Sequence, residues 1–267
     1  MSQNANNVNS LFQTAQAENT ITAAGAAVLN IPDMGAAIQA GLGVKVDDVQ
    51  ASEVLLVTFL VDDSGSIRDA GNEQVVRDGV NLVIEALGKS KQKDGILVCC
   101  RTLNGTAPIY PYVTLDNAPK LDNKNYRANG GTPLYDQTAV TLGQVLAKSQ
   151  EFSDAGVPVR TVTVIVTDGA DVHSTTHRRP ASVEPLVRDL RRQESHIIAA
   201  MGIDDGGHTD FRRVFEQMGI DGSWILLPTN SPSEIRKAFI LVSQSAVRAS
   251  QAAAAFSQVA AGGFGSP

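Results

Sequence analysis

Two uninterrupted apolar runs constrain the fold of this chain most. Residues 54–61 and 162–166 each run to an aspartate, Asp62 and Asp168. A strand with one wet face alternates apolar and polar residues, whereas an unbroken run is expected of a central strand covered on both faces. Helix-period segments lie between such runs. Val75, Val76, Val80, Val83, Ile84 and Leu87 recur at helical spacing before Gly88, predicting a helix over about 70–87. A second helix is expected after Thr132, with Pro133 in its first turn and Leu134, Ala139, Leu142, Val145 and Leu146 following. Further strands are expected over 96–103, 109–113, 160–167, 196–202 and 223–227, and helices over 183–193 and 210–218. Asn104-Gly105 predicts a hairpin into 109–113, an edge strand that tolerates Pro111. This alternation predicts an α/β chain with a mostly parallel sheet and helices on both faces. Ligands of such sheets sit at the carboxyl ends of the strands, where both aspartates fall.

The residues around those aspartates suit a metal. Asp62, Ser64 and Ser66 form an Asp-x-Ser-x-Ser loop in which alternate positions turn toward one point and Gly65 lets the backbone bend. Thr132 stands in Gly130-Gly131-Thr132-Pro133 and Asp168 in Thr167-Asp168-Gly169. All five side chains are small, hard oxygen donors. They suit Mg2+, which takes octahedral oxygen coordination and keeps several waters, with Mn2+ or Ca2+ as the alternatives. Zinc is disfavoured because no Cys or His belongs to the set. Two carboxylates and three hydroxyls leave the site short of negative charge, which a partner's carboxylate would supply.

This constellation resembles the von Willebrand factor type A (VWA) domain with its metal-ion-dependent adhesion site. The resemblance covers residues 50–245, and the motif is complete. It implies a doubly wound, Rossmann-like sheet of six strands with one antiparallel edge strand. It also implies that Ser64 and Ser66 bind the ion directly and Thr132 in the ligand-engaged state, that Asp62 and Asp168 sit beside the ion and act largely through water, and that a partner Glu or Asp often fills the last position. Ile67 replaces a common Met after the serine pair. The phrase Thr132-Pro133-Leu134-Tyr135-Asp136 looks like the intracellular, bacterial-type branch, which includes tellurium-resistance-associated members. Relatives in that branch often work beside AAA+ ATPases, so an AAA+ ATPase is the partner class expected first.

The flanks differ from the middle. Residues 1–49 form a low-charge extension, with only Glu18 and Asp33 charged before residue 45, and residues 246–267 form an Ala/Gly-rich helix end and tail. Both ends are candidates for a self-association surface. Ser231 with Glu234 three residues on predicts the start of the last helix. The net charge of -6, with no Lys/Arg cluster longer than pairs such as Arg178-Arg179, argues against nucleic acid. No apolar run approaches the roughly 20 residues a bilayer span needs. The polar, Lys/Arg-free start is unlike a secretory signal, and the adjacent Cys99 and Cys100 are expected in the core rather than in a disulfide, which together favour the cytoplasm.

Other motifs carry less. His173 and His177 are expected in a solvated loop near the rim, and His196 at the start of a strand. Asp63, Arg68, Arg127 and His173 are the candidate rim residues for an acidic partner, with Arg178 and Arg179 nearby. No nucleophile elbow surrounds Ser64, no phosphate-binding Gly-Lys-Ser/Thr loop occurs, and Gly41-Leu42-Gly43 precedes no convincing helix. The expected function is therefore non-enzymatic, cation-dependent protein binding within a larger assembly. The alternatives are a metal-dependent phosphohydrolase and a self-assembling structural subunit whose ion only stabilises loops.

Overall fold

The computed structural model describes residues 2–251, 263 and 264, and for residues 2–7 and 9 the backbone alone. The expectations for the Ala-rich run and the tail fall largely on residues outside this set. The sheet has six strands in the order β3-β2-β1-β4-β5-β6. These are β1 (Val54–Val61), β2 (Ile96–Thr102), β3 (Tyr110–Thr114), β4 (Val159–Thr167), β5 (His196–Gly202) and β6 (Ile225–Leu226). Every pairing is parallel except β2 with β3, the edge strand. All eight residues of β1 are buried, as an unbroken apolar run between two helical layers requires. The two adjacent cysteines separate onto the two faces: Cys100 joins the larger apolar core and Cys99 the smaller, and both thiols are free.

The strand order reverses between β1 and β4. β1 continues outward through β2 on one side, and β4 through β5 on the other. This switch point opens a crevice at the carboxyl ends of the two strands. Around the sheet lie α1 (Ser2–Ala17), α2 (Ala23–Val28), α3 (Met34–Gln39), α4 (Gly65–Asp69), α5 (Glu73–Gly88), α6 (Leu134–Asp154), α7 (Glu184–Arg192), α8 (Phe211–Gln217) and α9 (Pro232–Gln251). The helix expected over 70–87 is α5, which begins three residues later at Glu73 and is preceded by the short α4. Gly71, at φ +73, breaks the chain between α4 and α5.

The N-terminal extension is the largest departure from the sequence reading, which assigned it no structure. It forms three helices whose apolar side packs into the main core through Val8, Phe12, Ala15, Ile21 and Ile38. Buried polar side chains of the central unit hold its backbone. Gln144 Nε2 donates to the Gly41 carbonyl (3.2 Å), and Lys148 Nζ donates to the Val44 carbonyl. Asp189 Oδ2 accepts from both the Thr22 amide and hydroxyl, each at 2.7 Å. Gly41-Leu42-Gly43 has a structural role: Tyr112 N donates to Gly41 O and Val44 N to Tyr112 O, so this segment covers the free edge of β3. Among the described residues no helix is long and apolar enough to cross a membrane.

The hairpin expected through Asn104-Gly105 is present: β2 pairs antiparallel with β3 across the loop 103–109. One local expectation is corrected. His177 is not solvated: it is buried, and its Nε2 pairs with the Val28 carbonyl at 2.9 Å. The extension that covers it was not legible as structure, so the sequence alone left it exposed.

Candidate metal centre

Three loops bring the five oxygen-bearing side chains together at the switch point. The first begins as β1 ends. Asp62 N still donates to Val166 O as if the ladder continued, which fixes the carboxylate beneath the crevice. Its Oδ1 accepts from the Ser64 amide (2.7 Å) and its Oδ2 from the Thr167 hydroxyl (2.6 Å). The Tyr126 hydroxyl donates to the Asp62 carbonyl from below. Ser64 Oγ lies 2.8 Å from Ser66 Oγ, and Ser66 Oγ donates to Asp168 Oδ1 at 2.6 Å. Asp62, Ser64 and Asp168 are buried, whereas Ser66 is open to solvent.

The second loop carries Thr132. A parallel bridge between Ser64 and Gly130 holds it, with Gly65 N donating to Gly130 O (3.0 Å) and Gly130 N to Asp63 O (2.9 Å). Asn104 locks it from the side. Its Nδ2 donates to Asp63 Oδ1 (2.6 Å) and to Gly131 O (2.8 Å), while its Oδ1 accepts from Gly131 N (2.9 Å). A Cβ on Gly130 would fall 2.2 Å from the Asn104 side chain, and one on Gly131 would fall 2.5 Å from the His173 ring. The Gly-Gly pair is therefore required by close approach. Thr132 Oγ1 and Ser66 Oγ face the same space: a Cβ on Gly169 would stand 3.9 Å from the first and 3.7 Å from the second.

The third loop, after Asp168, straps the start of α6. Thr132 N donates to His173 Nδ1 (2.8 Å), and Val172 N donates to Thr132 O (3.2 Å). A nitrogen that accepts must hold its lone pair, so His173 is neutral in this arrangement. Asp171 Oδ2 accepts from Tyr135 N (2.8 Å), and the Asp136 carboxylate accepts from the amides of Thr175, Thr176 and His177 at 2.7, 3.1 and 2.7 Å.

The electrostatics favour a cation. Burial pushes the Asp62 carboxyl above its ordinary range against its hydrogen bonds from Ser64 and Thr167. Burial also pushes Asp168 up to about 6, with repulsion from Asp62 adding to it and the Ser66 bond opposing it. Among the described residues no three His, Cys, Asp or Glu side chains cluster as metal ligands. A metal here therefore depends on hydroxyls, and two under-solvated carboxylates behind three convergent hydroxyls fit a hard divalent ion. Both oxygens of Asp62 are engaged by internal donors, which fits an outer, water-mediated part for it.

The rim residues lie apart from this core. Asp63 faces Asn104. Arg68 pairs with Asp69 and donates to Asn129 Oδ1 at 2.6 Å. Arg127 donates to the Asn123 carbonyl, and Arg178 to the Thr175 carbonyl. Of the rim set only His173 touches a metal candidate. Asn104, Tyr126, Thr167, Asp136 and Asp171 were missed by sequence reasoning. The Asp171-x-x-Ser174 spacing was the one local signal, since Ser174 N and Oγ both donate to Asp171.

Neither a known family's sequence profile nor a curated protein sequence matches the chain. Solved structures do. The pilus adhesin SpaC from Lactobacillus rhamnosus GG, open conformation, aligns at TM-score 0.54 and 15% identity over 74% of this chain and 30% of that one. The vWF domain of the type V pili tip protein Mfa5 from Porphyromonas gingivalis aligns at 0.49 and 9% over 73% and 96%. Proximal thread matrix protein 1 from the mussel byssus, solved with a zinc-occupied MIDAS motif, aligns at 0.45 and 16% over 74% and 47%. The chain thus spans less than half of the adhesin and of the thread protein. At these identities the likeness is one of fold. The strand order, the antiparallel edge and the loop cluster at the switch point give this chain the fold of a von Willebrand factor type A domain.

Proposed function

We propose that this chain is a divalent-cation-dependent protein-binding module that captures an acidic side chain of a partner through a cation held by Asp62, Ser64, Ser66, Thr132 and Asp168. One observation carries the reading: oxygen donors from three separate loops converge in a crevice that is short of charge and open to solvent at Ser66. A bound cation would offer an open coordination position to the partner's carboxylate. Ser64 Oγ bonds to Ser66 Oγ, and Ser66 Oγ donates to Asp168 Oδ1, so among the described residues neither hydroxyl is paired with an imidazole base. Mg2+ is the cation we favour, on the hardness of the donors. The likeness to a pilus adhesin is one of fold, and the binding role rests on the site. An AAA+ ATPase in a cytoplasmic assembly is the partner we would test first, in a compartment where two free, buried thiols are stable.

Ser66→Ala tests this with little risk to the fold, because Ser66 is exposed. Mg2+ should raise the melting temperature of the wild-type chain and leave that of the variant nearly unchanged, while in EDTA the variant melts somewhat lower because Asp168 loses its Ser66 hydrogen bond. Affinity capture run in parallel with Mg2+ and with EDTA should recover a partner in the first only. Equal Mg2+ stabilisation of both proteins would refute the assigned ligands.

A further inference from the structure

Beside the metal centre, the N-terminal extension forms one wall of an open cavity of about 510 Å3. Met34, Ala37, Ala40, Pro133 and Val140 give it apolar walls. It adjoins the metal candidates directly: Pro133 follows Thr132, and His173, also in the lining, accepts the Thr132 amide. Its polar groups are unbalanced. The lining contains two carboxylates, Asp33 and Asp136, and no lysine or arginine. Asp33 is exposed, sits at φ +58, and its side chain makes no capping hydrogen bond to α3. Asp136 is bound by three amides and the Thr175 hydroxyl, all neutral donors, so its charge is solvated but not cancelled. Neutral His173 adds none. Gln137 Oε1 is buried in the lining with no hydrogen-bond partner. Arg101 lies behind the wall and is fully buried, its Nη1 engaged by the Ala37 carbonyl (3.1 Å) and Gln144 Oε1 (2.8 Å).

We propose that this cavity receives a lysine or arginine side chain of the protein partner. The methylene stem lies along the alanines and Pro133, as long cationic side chains bury their stems while the charge stays polar-solvated. The cationic head meets the exposed Asp33 carboxylate. A neutral apolar side chain would leave that carboxylate without a counter-charge, and an acidic one would face two carboxylates. That the occupant belongs to the same partner whose acid binds at the metal rests on the function proposed above. The preference of the cavity for a cation does not. The partner surface thus pairs an acid with a nearby base, and the extension becomes part of the recognition surface.

The test uses the full chain, isotope-labelled, in excess EDTA, titrated with N-acetyl-lysine methylamide and its uncharged twin N-acetyl-norleucine methylamide. The lysine probe should bind about tenfold more tightly and shift the amides of Ala37 and Thr106. Asp33→Asn should weaken lysine binding about tenfold and leave norleucine unaffected. Asparagine suits a left-handed backbone, so this variant keeps the fold. Equal or tighter binding of norleucine, absence of binding by both, or indifference to Asp33→Asn would each overturn the assignment. Ser66→Ala should leave lysine binding intact. A protein that binds lysine but is not stabilised by Mg2+ refutes the metal reading alone, and the converse refutes this one alone.

Discussion

Asp136→Ala should destabilise the folded chain by about 3 kcal/mol, since charge-assisted hydrogen bonds contribute roughly 1.5–3 kcal/mol each and water replaces part of the loss at exposed amides. In a domain of this size that is a fall in Tm of roughly 6–12 °C. The carboxylate accepts three successive backbone amides, from Thr175, Thr176 and His177, and also the Thr175 hydroxyl at 3.3 Å. Thr175 and Thr176 are exposed and can turn to water, whereas His177 is buried and its amide cannot. The charge also lies in the first turn of α6, where negative charge is favoured. Loss of the carboxylate should therefore free the loop from α6 and, through Val172 and His173, loosen Thr132. Hydrogen exchange at Thr175 to His177 should rise while β1 and β4 stay protected. Asp136→Asn should fall between the two, because one oxygen still accepts while the new NH2 faces a donor. Wild-type exchange at those three amides in Asp136→Ala would show that the strap is held by something else.

That strap marks where the sequence stopped being readable. Asp62 and Asp168 could be placed because each closes an apolar run, and a fully buried strand leaves a one-dimensional signature. Ser64 and Ser66 followed from alternate spacing, and Thr132 from Gly-Gly before Pro at a helix start. Asn104, Asp136 and Asp171 leave no such trace. Each acts on backbone 27 to 41 residues away, and the contact exists only once the loops meet. The same reason hid the extension. Val8, Phe12 and Ala15 have helical spacing, yet in a stretch with almost no charge no polar face sets off the apolar one. Without that layer, His177 had no visible partner and Gly41-Leu42-Gly43 no visible purpose. β6 was expected over five residues, 223–227, and pairs over two, because Ser223 and Trp224 belong to a 3-10 turn, Gly222–Trp224, capped by the Asp221 side chain.

The second large effect is the stabilisation by Mg2+, which should depend on pH. At a hundredfold excess over the dissociation constant, a ligand that binds only the folded state contributes about 2.7 kcal/mol, here roughly 5–10 °C in Tm. In metal-free protein the folded Asp168 titrates near 6, above its unfolded value of 3.8. The native state then holds more protons across that window, so the contribution of this group is fully present below 3.8 and is lost as the pH rises through 6. His196 works in the opposite direction. Burial lowers it from 6.5 to about 4, so its contribution is present above 6.5 and is lost as the pH falls through 4. The two slopes oppose each other in the metal-free melting curve and partly conceal one another. Subtracting the EDTA curve from the Mg2+ curve removes His196, which lies at the far end of β5 and belongs to neither state of the site. What remains is competition between protons and cation at Asp168: a full Mg2+ effect at pH 8, declining through pH 6 and nearly gone by pH 4.5. Asp168→Asn should flatten the difference and make the metal-free protein more stable at pH 8, because a buried carboxylate lacking a cation is replaced by a neutral amide. A Mg2+ increment that is constant from pH 8 to pH 4.5, or one that survives Asp168→Asn, would place the cation elsewhere on the molecule.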